Sequence, residues 1–182
     1  MAGVAERLTA HAYLAREDPR RTELIDGMVV VSEPAVLHQQ VCGWIFRALA
    51  DWVDSPPGRG AVSLPLNVVL DEGNVLAPDV LWFDGELPLD AGNAPRPPDL
   101  VVEVRSPGTW RYDIGRKREL YERHGVRELW LADTASRTML VYRRSSATSG
   151  FDDALELAAE QRLESPLLPG LSLRIGDLLP AA

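Results

Sequence analysis

Two acids and one lysine in the middle of the chain have residue types and spacing suited to metal-assisted phosphodiester chemistry. Asp79 opens the apolar run Val80-Leu81-Trp82-Phe83, and Glu103 follows Leu100-Val101-Val102. Short continuous apolar runs read as strands buried on both faces. An acid closing such a strand emerges at a sheet end, where carboxylates sit when they hold a metal. Lys117 lies in the helical segment that follows and is the sole lysine beside 18 arginines. Arginine replaces lysine readily on a solvated surface but not where a compact point charge is needed, so the bias singles out Lys117.

The chain has two Pro-Asp dipeptides, at Asp79 and Asp99. Asp99 and Glu103 are four residues apart on one strand, hence about 13 Å apart, too far to share an ion. Asp79 lies on a preceding strand that can pair beside the Glu103 strand, so Asp79 with Glu103 is the preferred pair. Two carboxylates completed by waters or a carbonyl make an all-oxygen site for Mg2+ or Mn2+. Asp113, Lys117 and Tyr121 follow at i, i+4 and i+8, near one helix face. An ammonium there can stabilise charge developing on a phosphate or orient a metal-bound water. The same spacing also fits a surface Asp113–Lys117 pair worth a few tenths of a kcal/mol. Arg105, two residues beyond Glu103, either contacts phosphate or neutralises Glu103.

Composition sets the limits. A chain of 182 residues, 46% hydrophobic and 25% charged, fits one globular domain spanning 1–182 with a core that needs no staples. No apolar run reaches the length of a membrane span, and MAGVAERLTAHAYL lacks the apolar centre of a signal peptide, so a cytoplasmic location is expected. The single cysteine, Cys42, is expected to exclude an internal disulfide and any cysteine-based zinc site within one chain, and its apolar helical setting reads as a buried structural thiol. A net charge of −8 argues against broad nucleic-acid binding, yet the segment from Glu103 to Arg127 carries +3. That local basic stretch suits a site meeting a polyanion, and equally a solvated helix.

The elements that must position these residues follow from periodicity. Thr9 to Glu17 reads as a short amphipathic helix with a threonine cap. Glu23-Leu24-Ile25 and Met28 to Val31 flank Asp26-Gly27, a two-residue hairpin signal. His38 to Val53 has apolar residues at 41, 44, 45, 48, 49 and 52, which is helical spacing. Ala61 to Leu70 reads as a strand interrupted by Pro65, and Val75 to Phe83 as one continuous strand. A Pro/Gly-rich loop then leads into Leu100 to Val104. Asp113 is placed to open a helix that Gly125 ends. Glu128 to Asp133 and Thr138 to Tyr142 are further strands, residues 145 to 150 a polar loop, and Ile175 to Leu179 a final apolar piece. The order predicts an α/β fold (α+β), a mixed sheet with helices packed on it and an N-terminal β-hairpin.

Taken together, these motifs carry a resemblance. Asp79 in Ala-Pro-Asp-Val, Glu103 in Val-Val-Glu-Val-Arg-Ser-Pro, Asp113-x-x-x-Lys117-x-x-x-Tyr121 and Gly125-Val126-x-Glu128-Leu129-Trp130 resemble the Uma-type family of restriction-endonuclease-like proteins, within the PD-(D/E)XK nuclease superfamily. Glu23 to Gly27 is similar to its N-terminal hairpin, His38-Gln39 to the start of its first helix, and Ser165 to Leu171 to its C-terminal signature. The resemblance implies a restriction-endonuclease-like mixed central sheet flanked by helices, with Asp79 and Glu103 as metal-binding acids. The superfamily's lysine usually lies two residues after the second acid; here that position is Arg105, and the resemblance assigns the role to Lys117 on the next helix. Asp113 would support the site, and His38 and Gln39 would either support it from the first helix or serve as helix-capping or core residues. Arg105, Arg111 and Tyr121 would meet substrate, with Trp110 or Tyr112 stacking on a base or simply packing. The expected activity is a Mg2+- or Mn2+-dependent endonuclease acting on DNA, with a homodimer as a natural way to cut both strands. Two alternatives stand beside it: a nuclease-fold interaction module without turnover, and hydrolysis of a small phosphoester, which needs a closed pocket.

Overall fold

The structure, a computed structural model, describes residues 7–18, 20–56, 58–145 and 150–180. Pro19, Pro57 and most of the loop expected at 145–150 lie outside the described residues.

Thr9 caps the first helix, α1 (Ala10–Leu14), by accepting the Ala12 N–H. The hairpin β1 (Thr22–Ile25) and β2 (Met28–Val31) closes where expected, with Asp26 and Gly27 both at positive φ (50° and 76°). Two central residues of that handedness match the twist of the flanking strands. The long helix α2 (Val36–Asp54) buries Val41, Ile45, Leu49 and Trp52 on one stripe.

The next segment differs from the sequence reading. Ala61–Leu70 and Val75–Phe83 do not form one strand each: β3 (Ala61–Ser63) and β6 (Val80–Phe83) belong to a six-stranded sheet, β4 (Val68–Asp71) and β5 (Asn74–Leu76) to a four-stranded one. Proline stands between the halves of each pair, at Pro65 and Pro78. Lacking an N–H, proline cannot continue a ladder, so both antiparallel arms bend from one sheet into the other at that level. Asp79 is thereby the first residue after a bend rather than a mid-strand position.

The six-stranded sheet has the order β10-β9-β8-β7-β6-β3, with β7 (Leu100–Val104), β8 (Glu128–Asp133), β9 (Thr138–Arg143) and β10 (Asp153–Leu157). Its one parallel pair, β7 with β8, is linked by the crossover helical segment α3 (Trp110–Tyr112), a π-helical turn (Asp113–Lys117) and α4 (Arg118–Arg123). The helix therefore opens at Trp110, and Asp113 sits inside it rather than capping it. A small sheet of β11 (Arg162–Glu164) and β12 (Ser172–Arg174), with α5 (Ile175–Leu178), completes the described chain. The fold is a mixed α+β arrangement, as expected.

Strand alternation divides the core. Leu100, Val102, Val104 and Trp130 pack under α2 and α5, while Val101, Leu129 and Leu131 pack under α4 with Leu120 and Tyr121. Glu103 shares the second face. At the lower end of β8, the buried Glu128 accepts from Trp130 Nε1 (2.7 Å), Ser165 Oγ (2.7 Å) and Arg143 Nε (3.2 Å), fastening the C-terminal segment to the sheet. Glu128→Ala leaves the buried Trp130 and Ser165 donors without this acceptor and unpairs the half-buried Arg143 Nε, so we expect about 3 kcal/mol lower stability in urea unfolding, and a smaller loss for Glu128→Gln.

Candidate active site

The antiparallel pairing of β6 and β7 sets Val80 opposite Val102, and Asp79 N–H donates to the Val102 carbonyl (3.1 Å). Asp79 stands just beyond the end of this register, and its side chain and that of Glu103 line one small cavity. The two acids chosen on spacing are therefore brought together. Asp99, by contrast, holds the far end of the strand, accepting from Arg96 (2.8 Å) and the Asp84 N–H (2.8 Å).

Each acid has its own partners. Asp79 Oδ2 accepts the Val104 N–H (2.7 Å), and Oδ1 accepts from Arg21 Nη2 (2.7 Å) and His38 Nε2 (3.1 Å). Burial pushes this carboxyl upward most, but His38, Arg21 and the Val104 amide together outweigh it and hold it below the ordinary aspartate range. Glu103 Oε1 accepts the Tyr121 hydroxyl (2.5 Å) and lies 2.6 Å from Lys117 Nζ. Burial first, then the negative charges of Asp113, Glu23 and Asp79, raise Glu103 well above the usual range despite Lys117.

Lys117 is only 2% exposed. Its ammonium also meets Glu23 Oε1 and Asp113 Oδ1, both at 3.0 Å. A surface Asp113–Lys117 pair is thus not what the helix carries: both side chains point inward. Burial alone would lower the lysine, but three carboxylates reverse the effect and raise it well above its ordinary value, so it remains charged. The π-helical turn is what the local sequence concealed; such single turns recur at functional sites, where they re-aim side chains.

Two contributors escaped the sequence reading. Glu23 appeared only as part of a hairpin, yet its Oε1 accepts the Ala77 N–H (2.8 Å) and braces Lys117. Its signal was an acid inside a four-residue apolar strand. Arg21 gave no signal; it binds Asp79 and the Ala77 carbonyl (2.9 Å).

The remaining candidates are more scattered. His38 reaches the site, whereas Gln39 is exposed on α2. Tyr121 is fully buried with its hydroxyl on Glu103. Arg105 pairs with Asp133 (2.9 and 3.0 Å) and stacks on Trp110, so it does not neutralise Glu103. Arg111 is exposed beside Tyr112.

The donor set fits a hard divalent cation. Four buried carboxylates, Glu23, Asp79, Glu103 and Asp113, face two permanent cations, Lys117 and Arg21, a local surplus of negative charge that the protein relieves by holding Glu103 and Asp113 toward their protonated forms. Asp79, Glu103, His38 and Lys117 line a cavity of about 10 Å³, room for about one water. Arg21 and Ala77 line both that cavity and an outer groove formed with Tyr13, Arg16, Arg20 and Asn67. Among the described residues, no helix is long and apolar enough to cross a membrane.

Comparison with known proteins agrees with this architecture. The crystal structure of a protein described as a putative nuclease from Anabaena variabilis ATCC 29413 superposes with a TM-score of 0.79 at 20% identity, covering 94% of this chain and 97% of that one. At that identity the likeness speaks for the fold alone. No curated protein matches the sequence. The family model Uma2, described as "Putative restriction endonuclease", matches residues 7–176, which span the hairpin, both acids and the lysine; the chain belongs to the Uma2 family.

Proposed function

We propose that the protein is a divalent-metal-dependent endonuclease that hydrolyses phosphodiester bonds, with DNA as substrate. The observation that carries this reading is the convergence of Asp79, Glu103 and Lys117 on the wall of one small cavity, with the Lys117 ammonium on the Glu103 carboxylate. Asp79 and Glu103 would hold Mg2+ or Mn2+, which supplies a polarised phosphate and an acidified water. The Val104 N–H fixes the Asp79 carboxylate plane, and Glu23 and Asp113 fix the ammonium. Because Lys117 keeps its charge, it serves as a donor that orients the attacking water or stabilises the phosphate oxygens, not as a base. A cavity with room for one water cannot enclose a phosphoester, which argues against a small-molecule phosphatase and for a substrate lying across the mouth of the site. Arg21 and Arg20 stand on that approach, and Arg111 is exposed on the helical crossover.

One observation favours a nuclease-fold binding module without turnover: Asp79 Oδ1 is already shared by Arg21 and His38. The deciding experiment is cleavage of supercoiled plasmid and of single-stranded DNA with Mg2+ or Mn2+. We expect nicking by the wild type and none by Asp79→Ala; no metal-dependent cleavage of either substrate by the wild type would give the binding module instead.

A further inference from the structure

A second metal chemistry is built against the first. On α2, His38 and Cys42 are four residues apart, so their side chains project from one face a turn apart. A ring nitrogen of His38, the Cys42 Sγ and a carboxylate oxygen of Asp79 all lie within 4.8 Å of one another, and all three residues are buried. The His38 ring lines the small cavity, and among the described residues its buried Nδ1 has no hydrogen-bond partner. Nε2 is the ring nitrogen that meets Asp79 (3.1 Å), so it is the atom that would hold an ion shared with that carboxylate, with the ring proton carried on Nδ1.

We propose that His38, Cys42 and Asp79 form a thiophilic metal site for Zn2+ or a similar soft divalent ion, and that filling it excludes Mg2+ from Asp79. One thiolate, one imidazole and one carboxylate are a borderline-soft donor set, unlike the all-oxygen pair of Asp79 with Glu103. Three protein ligands with a fourth position left to water is the pattern of an exchangeable site rather than a structural one. Ligand atoms around tetrahedral Zn2+ stand roughly 3.4–3.8 Å apart, given bonds of about 2.0–2.3 Å, so the present triangle closes by about 1 Å through side-chain rotation. Cys42 binds as thiolate, releasing one proton to solvent for each ion bound, and the imidazole binds neutral. Arg21 must leave Asp79 Oδ1 while keeping the Ala77 carbonyl.

The exclusion of Mg2+ rests on the role proposed for Asp79; the site itself does not, and the test separates them. Co2+ added to the purified protein is expected to give the near-ultraviolet absorption of a thiolate-bound ion, and Zn2+ is expected to abolish it. Cys42 is the sole cysteine, so the band can arise nowhere else in the chain. It should vanish in Cys42→Ser and in Cys42→Ala, two variants that guard against a failure of either to fold, and collapse in His38→Ala. In cleavage assays at fixed Mg2+, Cys42→Ser should cut like the wild type while needing roughly tenfold or more Zn2+ for half-inhibition. Wild type without a thiolate–Co2+ band would overturn the site, as would a band unchanged in both His38→Ala and Asp79→Ala. A band present in a protein that never cleaves DNA would uphold the site and remove the nuclease reading.

Discussion

Lys117→Met is expected to abolish metal-dependent cleavage and, at the same time, to make the protein's stability depend strongly on divalent cations. The two effects have one origin. The ammonium stands within 3.0 Å of Glu23, Glu103 and Asp113 and is buried with them. Removing it deletes the donor aimed at the reacting water or phosphate, a loss on the order of 10²–10³-fold or more in rate. It also leaves three buried carboxylates with no cation among them, and breaking a buried ion pair by deleting one partner costs about 3–5 kcal/mol. That cost should shrink where the acids can take up protons, and shrink again when Mg2+ supplies the missing charge. Thermal melts with EDTA and with Mg2+ read the second effect: the Mg2+-induced rise in Tm should be larger in Lys117→Met than in the wild type. Plasmid cleavage reads the first. A Lys117→Met enzyme cutting within tenfold of the wild type would move the donor role to Arg21, the other cation on the cavity wall.

The second large effect concerns pH. Glu103 has an unfolded value near 4.5 and a folded value well above it, mainly through burial and then the neighbouring charges of Asp113, Glu23 and Asp79. Asp113 is raised from 3.8 for the same principal reason. Between the unfolded and folded values the native state binds more protons than the unfolded chain, so raising the pH favours unfolding. The stability these two acids contribute is fully present below their unfolded values and is lost as pH rises through the folded ones. Asp79 works in the opposite sense: held below 3.8, it contributes stability above that pH which is lost as pH falls through its folded value. The metal-free protein should therefore weaken as pH rises from 4.5, and Mg2+, which binds the ionised acids, should flatten or reverse that slope. Urea unfolding across this range, with EDTA and with Mg2+, measures both. Glu103→Gln should remove much of the metal-free slope; an unchanged slope would place the proton uptake elsewhere. Cleavage should rise with pH over the same window, since only ionised Glu103 binds a cation.

Both expectations depend on a site assembled from four separate parts of the chain, and only some of it could be read from residue order. Local rules were sufficient where the decisive interactions are local. The apolar spacing of 41, 44, 45, 48, 49 and 52 describes the buried stripe of α2, and the apolar run before Glu103 is β7 from its first residue to Val104. Asp26-Gly27 needed only its own backbone freedom to make the hairpin turn. The pairing of Asp79 with Glu103 also followed from distance, because the rise along a strand forbids Asp99.

What escaped depends on which segments meet. Pro65 and Pro78 were visible, but that each marks a passage between two sheets depends on partners far away in sequence. A strand pattern records which residues alternate and not which sheet receives them. Glu23 and Arg21 carry no local mark of their roles; they acquire them because β1 lies beside β5 and brings both to Ala77, next to Asp79. The π-helical turn at Asp113–Lys117 departs from regular helical hydrogen bonding and is invisible to a periodicity of 3.6. The sequence by itself determined which acids and which lysine stand at the ends of apolar elements, since burial patterns are local. Tertiary structure alone decided that Lys117 is buried among three carboxylates and that Asp79 is shared by Arg21 and His38, because the electrostatics of a site is fixed by which charges are brought together, not by their order along the chain.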